Sequence, residues 1–412
     1  MLFGNSGKQP LSCDLPAPLN PADIFSQSSG KPQNHSNMKL TTWNIEHLKR
    51  PLVNPQTPAN KARLLSISDQ IFQMDSDILC ILEAPGDILL MQNWINLPRE
   101  AGGLNGTYKI AVIPGTQEVL DANPANVRKA LQSLYLMQGN DLTGDQWIWF
   151  LIKEPLFHES AAYVQNPKIW QGMTGRKNWA VNYWGSYEST AADHWRHPQT
   201  LVLKLGKFTI EIIGLHLKSK VNMKPAFDTN GKLAHSYVDE ALRARVRLAT
   251  EAYDVRMYIE RRFHQERKPF IMVCGDMNDG PGREFFERQF LFFDLISNIQ
   301  GDVFFSSRFL NHALFDFEEH LRWTTEFNDK IEMWAQANFQ YYDQMPSGID
   351  MTQRQLIDHI LFTQAFTGRT TGPKVKSQAG FVEHTIHEKI NAVLPASRKT
   401  SDHRPVSVEI TL

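Results

Sequence analysis

The chain has 412 residues, 42% hydrophobic and 11% aromatic, enough to bury a large core in one big domain or two. Its 43 Lys and Arg stand against 44 Asp and Glu. It therefore lacks the global positive field that drives non-specific nucleic-acid binding, and any contact with a polyanion must come from a local patch. Three cysteines, Cys13, Cys80 and Cys274, make no disulfide framework, and Cys80 and Cys274 are expected to be reduced core residues. No apolar run approaches the roughly 18 residues of a membrane helix, so cytoplasmic residence is the expectation.

Met1 to Asn37 is rich in Pro, Ser, Asn and Gln and has no stretch apolar enough for a signal-peptide core. A flexible tail is expected over residues 1–37. Lys39 to Ile45 reads as the first strand, followed by a helix near Asn60 to Asp75 with apolar Leu64, Leu65, Ile67, Ile71 and Phe72. Asp77 to Leu82 is near-continuously apolar, as a strand buried on both faces is. Strands are expected at Tyr108 to Ile113 and Gln146 to Ile152, inside an irregular stretch that runs to about Thr200. Phe208 to Leu217 is the next strand. Tyr237 to Phe263 is the strongest helix, its apolar stripe read as Leu242, Val246, Ala249, Tyr253 and Met257, and Pro269 ends it. Phe270 to Cys274, Leu356 to Phe362 and Pro405 to Leu412 are further strands, with Phe285 to Asn338 mainly helical or mixed. This alternation predicts an α/β domain without deciding between a doubly wound sheet and a sandwich.

Five of these apolar runs carry polar motifs: Trp43-Asn44-Ile45-Glu46, Glu83 after Leu82, His216 followed by Leu217-Lys218-Ser219-Lys220, Gly275-Asp276-Met277-Asn278, and Ser401-Asp402-His403-Arg404-Pro405. A strand that stops at a carboxylate, amide or imidazole projects that group from a sheet edge. Carboxylates gathered with amides and imidazoles suit a hard, oxygen-liganded cation and a phosphate ester, whereas zinc would call for more Cys and His. Metal-dependent phosphoester hydrolysis is the chemistry suggested. Asp276 and Asn278, two positions apart, point the same way if the extended conformation persists.

In this order, with a sixth anchor at Ile357-Asp358-His359-Ile360, the motifs resemble the endonuclease/exonuclease/phosphatase superfamily, which includes deoxyribonuclease I, apurinic endonucleases, sphingomyelinases and inositol polyphosphate phosphatases. Each motif alone is weak, but six in order, each attached to a strand, argue against coincidence. The resemblance implies a four-layer α/β sandwich, two mixed β-sheets packed face to face with helices outside and the site at one end. It covers a catalytic domain over residues 38–412, with variable insertions near 101–200 and 285–345.

By the same resemblance Glu83 is a ligand of Mg²⁺ or Mn²⁺, although Leu82 stands where the family usually has Gln. Asn44 helps hold the metal or the phosphate, and Asp402 binds a second cation or orients the site. His403 pairs with Asp358, which fixes its tautomer and favours the protonated form, and it donates to the phosphate. His216 binds phosphate from the opposite side or assists the leaving group. Asp276 orients or deprotonates the attacking water, and Asn278 stabilises charge in the transition state. One-metal and two-metal schemes both stay open.

Lys218, beside His216, suggests a phosphate-facing edge. Trp170, Trp179, Tyr183, Trp184, Tyr187 and Trp195 interleave with Lys168, Arg176, Lys177 and Arg196, a composition able to stack bases and neutralise phosphates or, more simply, to fill a core. Arg243, Arg245 and Arg247 are expected on a solvated helix face. The expected activity is a DNA or RNA nuclease, nearest the bacterial nuclease-type branch. The alternatives are a phosphoesterase acting on a small or lipid substrate and a catalytically inactive binding module.

Overall fold

The computed structural model describes residues 37–122, 146–167, 169–170, 181–182, 189–190, 196–280, 284–290, 295–339, 353–368, 372–395 and 399–412. Residues 1–36 of the expected tail, Cys13 and most of the aromatic and basic stretch 168–196 lie outside them, and Asn37, expected in the tail, opens the first strand. In chain order the strands are β1 Asn37–Asn44, β2 Ile78–Ala84, β3 Tyr108–Ile110, β4 Trp147–Lys153, β5 Tyr163–Val164, β6 Val181–Asn182, β7 Ser189–Thr190, β8 Gln199–Leu205, β9 Phe208–His216, β10 Phe270–Asp276, β11 Leu310–His312, β12 Thr325–Glu326, β13 Arg354–Gln355, β14 Asp358–Thr363, β15 Lys374–Val382 and β16 Val406–Thr411.

Two six-stranded sheets are ordered β15-β16-β1-β2-β4-β3 and β11-β14-β10-β9-β8-β5. Each is mixed in the same way. β1 and β2 run parallel in the first sheet, β9 and β10 in the second, and both pairs have antiparallel neighbours on either side. A parallel pair cannot be joined by a hairpin and needs a crossover. The helix Pro58–Met74 supplies it in the first sheet and His235–Gln265 in the second. The first of these is well bounded, with the Thr57 hydroxyl accepting from the Asn60 amide, Pro58 at its start and a left-handed Asp75 at its end.

The period of two along each strand divides the side chains between layers. Ile78, Cys80 and Leu82 of β2 and Ile148, Phe150 and Ile152 of β4 face Ile210 and Ile212 of β9 and Met272 and Cys274 of β10 in the core between the sheets. Leu79, Ile81, Trp149 and Leu151 turn outward onto the helices Pro58–Met74 and Ile88–Asn96. Ile213, Leu215, Ile271 and Val273 turn the other way onto the helix His235–Gln265. Helix, sheet, sheet, helix is the order expected of the four-layer sandwich. The sheets meet closely at Gly214, where a Cβ would lie 2.9 Å from both Cys80 Sγ and an Ile148 methyl. Cys80 and Cys274 are free and buried.

The long helix corrects the sequence reading of its face. Its core-facing row is Ala241, Arg245, Leu248, Ala252, Val255, Ile259 and Phe263, all buried, whereas Tyr253 is 45% exposed. Arg245 disguises the row because its charge is met from another segment, by Glu284 and Glu287. The solvated face expected for Arg245 is therefore not where it lies. Among the described residues no helix is long and apolar enough to cross a membrane.

Candidate active site

The parallel pairs bring four strand ends to one end of the sandwich, and the antiparallel β14 and the loop before β16 start there. In register, Asp276 of β10 sits beside His216 of β9 and Asp358 of β14. Three contacts then cross from one sheet to the other. Asn44 Nδ2 donates to Asp276 Oδ2 at 3.1 Å, His403 Nδ1 stands 2.8 Å from Asp358 Oδ2, and His216 Nε2 lies 3.9 Å from Glu83 Oε1. His216 Nε2 is also 3.5 Å from Asp276 Oδ2.

The backbone is bent to present these groups. Gly275 has φ +139°, and a Cβ there would fall 1.9 Å from the Leu215 carbonyl oxygen of the neighbouring strand. Only glycine fits at that approach. Glu46, His47, Glu83 and Asn278 all have left-handed φ, between 42° and 55°, a conformation that costs non-glycine residues energy and concentrates at functional sites. Glu83 coincides with an irregularity in the β2–β4 pairing between Ile81 and Ala84, which turns its carboxylate toward the cleft.

The electrostatics set the ionisable groups apart. Burial, followed by repulsion from Asp358, pushes Asp276 up to about 7. Burial, with the cations Arg196 and His403 nearby, holds His216 well below its ordinary value, so this imidazole is neutral. Burial alone would lower His403 too, but the charge of Asp358 and its hydrogen bond raise it well above the ordinary value. One histidine is therefore a proton donor and the other is not, a separation produced wholly by their neighbours.

The site opens into a cleft of about 890 Å³ whose wall includes Asn44, Glu83, Arg196, His216, Asp276, Asn278, Asp402 and His403. Eight of the ten residues singled out in the sequence thus line one space. Of the other two, Asp358 lies behind His403 and Lys218 turns its ammonium back to the Ser219 carbonyl at 2.8 Å. Arg196 lines the cleft with its guanidinium held by Gln146 Oε1 at 2.9 Å and the Leu217 carbonyl at 2.5 Å. Asp402 is the outermost acid, its side chain 57% exposed.

Asn278 does not continue the extended strand. It turns left-handed, its amide nitrogen donates to Asp276 Oδ1 at 2.9 Å, and its Nδ2 donates to the Leu217 carbonyl at 3.0 Å. One Nδ2 hydrogen is left over for a ligand. Asn44 bridges two acids, donating to Glu83 Oε1 at 3.4 Å as well as to Asp276, while its Oδ1 accepts from the Glu46 amide at 3.1 Å.

Sequence reasoning passed over His47 and the structural role of Ser401. The His47 amide donates to Glu83 Oε2 at 3.0 Å, with the imidazole Nδ1 at 3.4 Å. Ser401 Oγ donates to the Asn44 carbonyl at 2.6 Å and accepts from the His403 amide at 3.0 Å. For Ser401 the signal was present in its motif; for His47 the left-handed turn that aims it leaves no mark in the sequence.

No family model and no curated protein matches the sequence. Among solved structures the chain is similar to truncated Caenorhabditis elegans TDP2, at 12% identity over 91% of this chain and 98% of that one, with a TM-score of 0.42. It is similar to D. rerio TDP2 complexed with a single-strand DNA product, at 11% identity over 92% and 100%, with a TM-score of 0.45. An endonuclease/exonuclease/phosphatase from Bacteroides vulgatus is similar at 13% identity over 91% and 99%, with a TM-score of 0.42. The expected architecture, two mixed β-sheets packed face to face with helices outside, is the one observed. Function has to be read from the site, since one fold hosts many chemistries.

Proposed function

We propose that the chain is a divalent-cation-dependent phosphodiesterase acting on nucleic acid. The observation that carries this reading is a buried excess of carboxylate at the sheet ends. Asp276 and Asp358, with His403, place ligand atoms within 4.8 Å of one another, Glu83 joins them through Asn44, and one oxygen of Asp358 is buried without a hydrogen-bond partner. Oxygen donors in excess of the neighbouring cations fit Mg²⁺ or Mn²⁺. Glu83 is the carboxylate that would hold it, with Asn44 beside it and Asp402 at the rim. Such an ion supplies charge neutralisation at the phosphate oxygens.

The chain's own groups account for the rest. Asp276, whose carboxylate is made a stronger base by burial and by Asp358, takes the proton of the attacking water. The His403 imidazolium, its Nδ1 committed to Asp358, offers Nε2–H to a phosphate oxygen. Neutral His216 and the spare Nδ2 hydrogen of Asn278 face the same phosphate, where negative charge builds. Asn44 keeps Glu83 and Asp276 apart at a fixed spacing, and Arg196 secures the turn that follows His216.

The nucleic-acid part of the proposal is supported by half-buried Tyr237 and exposed Phe327 along the same cleft, because a base can stack beside a phosphate held at the sheet ends. The deciding experiment is one panel of plasmid, single-stranded DNA, RNA, abasic duplex, sphingomyelin and inositol phosphates with Mg²⁺, run beside an Asp276→Asn control. Cleavage of the nucleic acids, weakening as salt rises, is the expected result. Turnover confined to the lipid or inositol substrates would overturn the substrate assignment, and turnover of none would favour a binding module.

A further inference from the structure

Two segments of the first sheet that flank the site have no regular structure of their own: the turn that follows Asn44 at the end of β1, and residues 399–405 ahead of β16, carrying Asp402 and His403. One side chain holds both. Arg63, on the second turn of the helix Pro58–Met74, places Nη2 against the carbonyls of Ile45 at 2.9 Å, Glu46 at 2.5 Å and Thr400 at 3.0 Å, its two hydrogens shared among the three, and donates from Nε to the carbonyl of Lys399 at 3.1 Å. A guanidinium offers five donors in a fixed fork and no acceptor. Spread over main-chain oxygens of two strands' ends, it fixes their separation, which the point charge of a lysine does not do. Two turns along the same helix face, Gln70 Oε1 accepts from the Thr400 hydroxyl at 2.8 Å. Ser401 then closes the join by donating to the Asn44 carbonyl at 2.6 Å.

We propose that Arg63 is a positioning residue for catalysis, a clamp that sets where His403 and Asp402 stand relative to Asn44 and Glu83, with Gln70 as its second point of attachment. This deepens the phosphodiesterase reading and, in its kinetic part, rests on it. The groups that Arg63 grips directly are main-chain carbonyls, so its hydrogen bonds fix geometry, while its charge also lies near Glu46, Asp402 and Glu83. The segment it holds supplies the imidazole that bonds Asp358 of the opposite sheet. A displacement of that imidazole by about an ångström costs turnover on the order of a hundredfold while leaving substrate capture largely intact.

The test uses the full chain and two variants, Arg63→Ala and Arg63→Lys, with two independent readouts. The first is hydrolysis of bis(4-nitrophenyl) phosphate with Mg²⁺ or Mn²⁺. The alanine variant is expected to lose about tenfold to a hundredfold in kcat with KM little changed, to recover part of it in millimolar guanidinium chloride but not in matched sodium chloride, and to be bettered by the lysine variant. The second readout, which needs no activity, is the downfield proton signal of His403 Nδ1–H in the ¹⁵N-histidine-labelled protein, expected to shift or vanish in the alanine variant.

Turnover and imidazole signal both unchanged would overturn the proposal. So would a loss of turnover matched by the loss of folded protein and indifferent to guanidinium. If the wild type hydrolyses none of the substrates yet the signal still moves in the variant, the clamp stands and the phosphodiesterase reading falls. Should the alanine variant fail to fold, the lysine variant carries both readouts.

Discussion

Two clusters of buried acids stand near the same cleft and are balanced in opposite ways. Asp279, Glu284 and Glu287 come with their own cations: Lys220 meets Asp279 at 2.8 Å and also Glu284, and Arg245 meets Glu284 at 2.6 Å and Glu287 at 2.7 Å. Burial pushes Glu284 up, but Lys220 and Arg245 together hold it below the ordinary carboxylate range. Asp276 and Asp358 are as deeply buried, and among the described residues the cation in direct contact with the pair is His403, on Asp358; Asp276 touches Asn44 and neutral His216 and rises to about 7. The difference lies in the cations rather than in the acids. An acidic cluster that brings its own countercharges is a fastening between segments, and one that lacks them is poised for a charge from outside.

The largest effect that sharpens this contrast is on stability. Arg245→Met should cost about 3–5 kcal/mol, the scale for breaking a buried ion pair and stranding its partners, measured as a lowered midpoint in urea, with kcat of the folded fraction changed much less. A stability loss below about 1 kcal/mol would place the cluster among weak surface pairs. Next come Asp276→Asn and His403→Ala, each expected to lower kcat at least about a hundredfold with a smaller change in KM. Unchanged turnover in a variant whose circular dichroism matches wild type removes that residue from the mechanism.

Third, chelation should abolish activity, and Glu83→Gln should raise the Mg²⁺ concentration for half-maximal turnover by about tenfold or more, with the fold intact. A Glu284→Gln variant should show no such shift, since Glu284 is already paired with both Lys220 and Arg245.

The smallest effect is a pH dependence of the metal-free protein. Asp276 binds its proton more tightly when folded, so between 3.8 and about 7 the native state holds more protons than the unfolded chain and stability falls as pH rises. The penalty is absent below that window and complete above it. His403 acts with the same sign, its contribution present below 6.5 and lost as pH climbs through a folded value that lies higher. In chelator, wild type should lose Tm relative to Asp276→Asn as pH is raised from 4 to 7, and parallel curves would contradict the raised value.

The strands that carry the site were legible because each is an apolar run stopped by a polar group, and the register of β1, β2, β9, β10 and β14 then brings Asn44, Glu83, His216, Asp276 and Asp358 to one end. What escaped depends on partners distant in sequence. Arg245 reads as a surface charge until Glu284 and Glu287 are seen beside it. Asn278 reads as an extension of β10 until its left-handed turn directs it to the Leu217 carbonyl. β15 went unread because Lys374–Val382 is half exposed at an edge, with a shift in its pairing to β16 between Val375 and Gly380. Lys218 gave a compositional hint of phosphate binding, yet its neighbour Lys220 is the one that reaches the cleft wall, already paired.

The position of β16 has a consequence for how the site comes together. This strand lies between β15 and β1, joined along Asn37–Thr42 to the opening of the described chain, and the imidazole that bonds Asp358 sits just ahead of it. The charged pocket therefore depends on pairing between segments far apart in sequence: only when Val406–Thr411 is seated between β15 and β1 is the first sheet continuous and His403 held against Asp358 of the second. Without that pairing Asp358 would keep its charge with no imidazole beside it, so the closure of one sheet governs the electrostatics of the other.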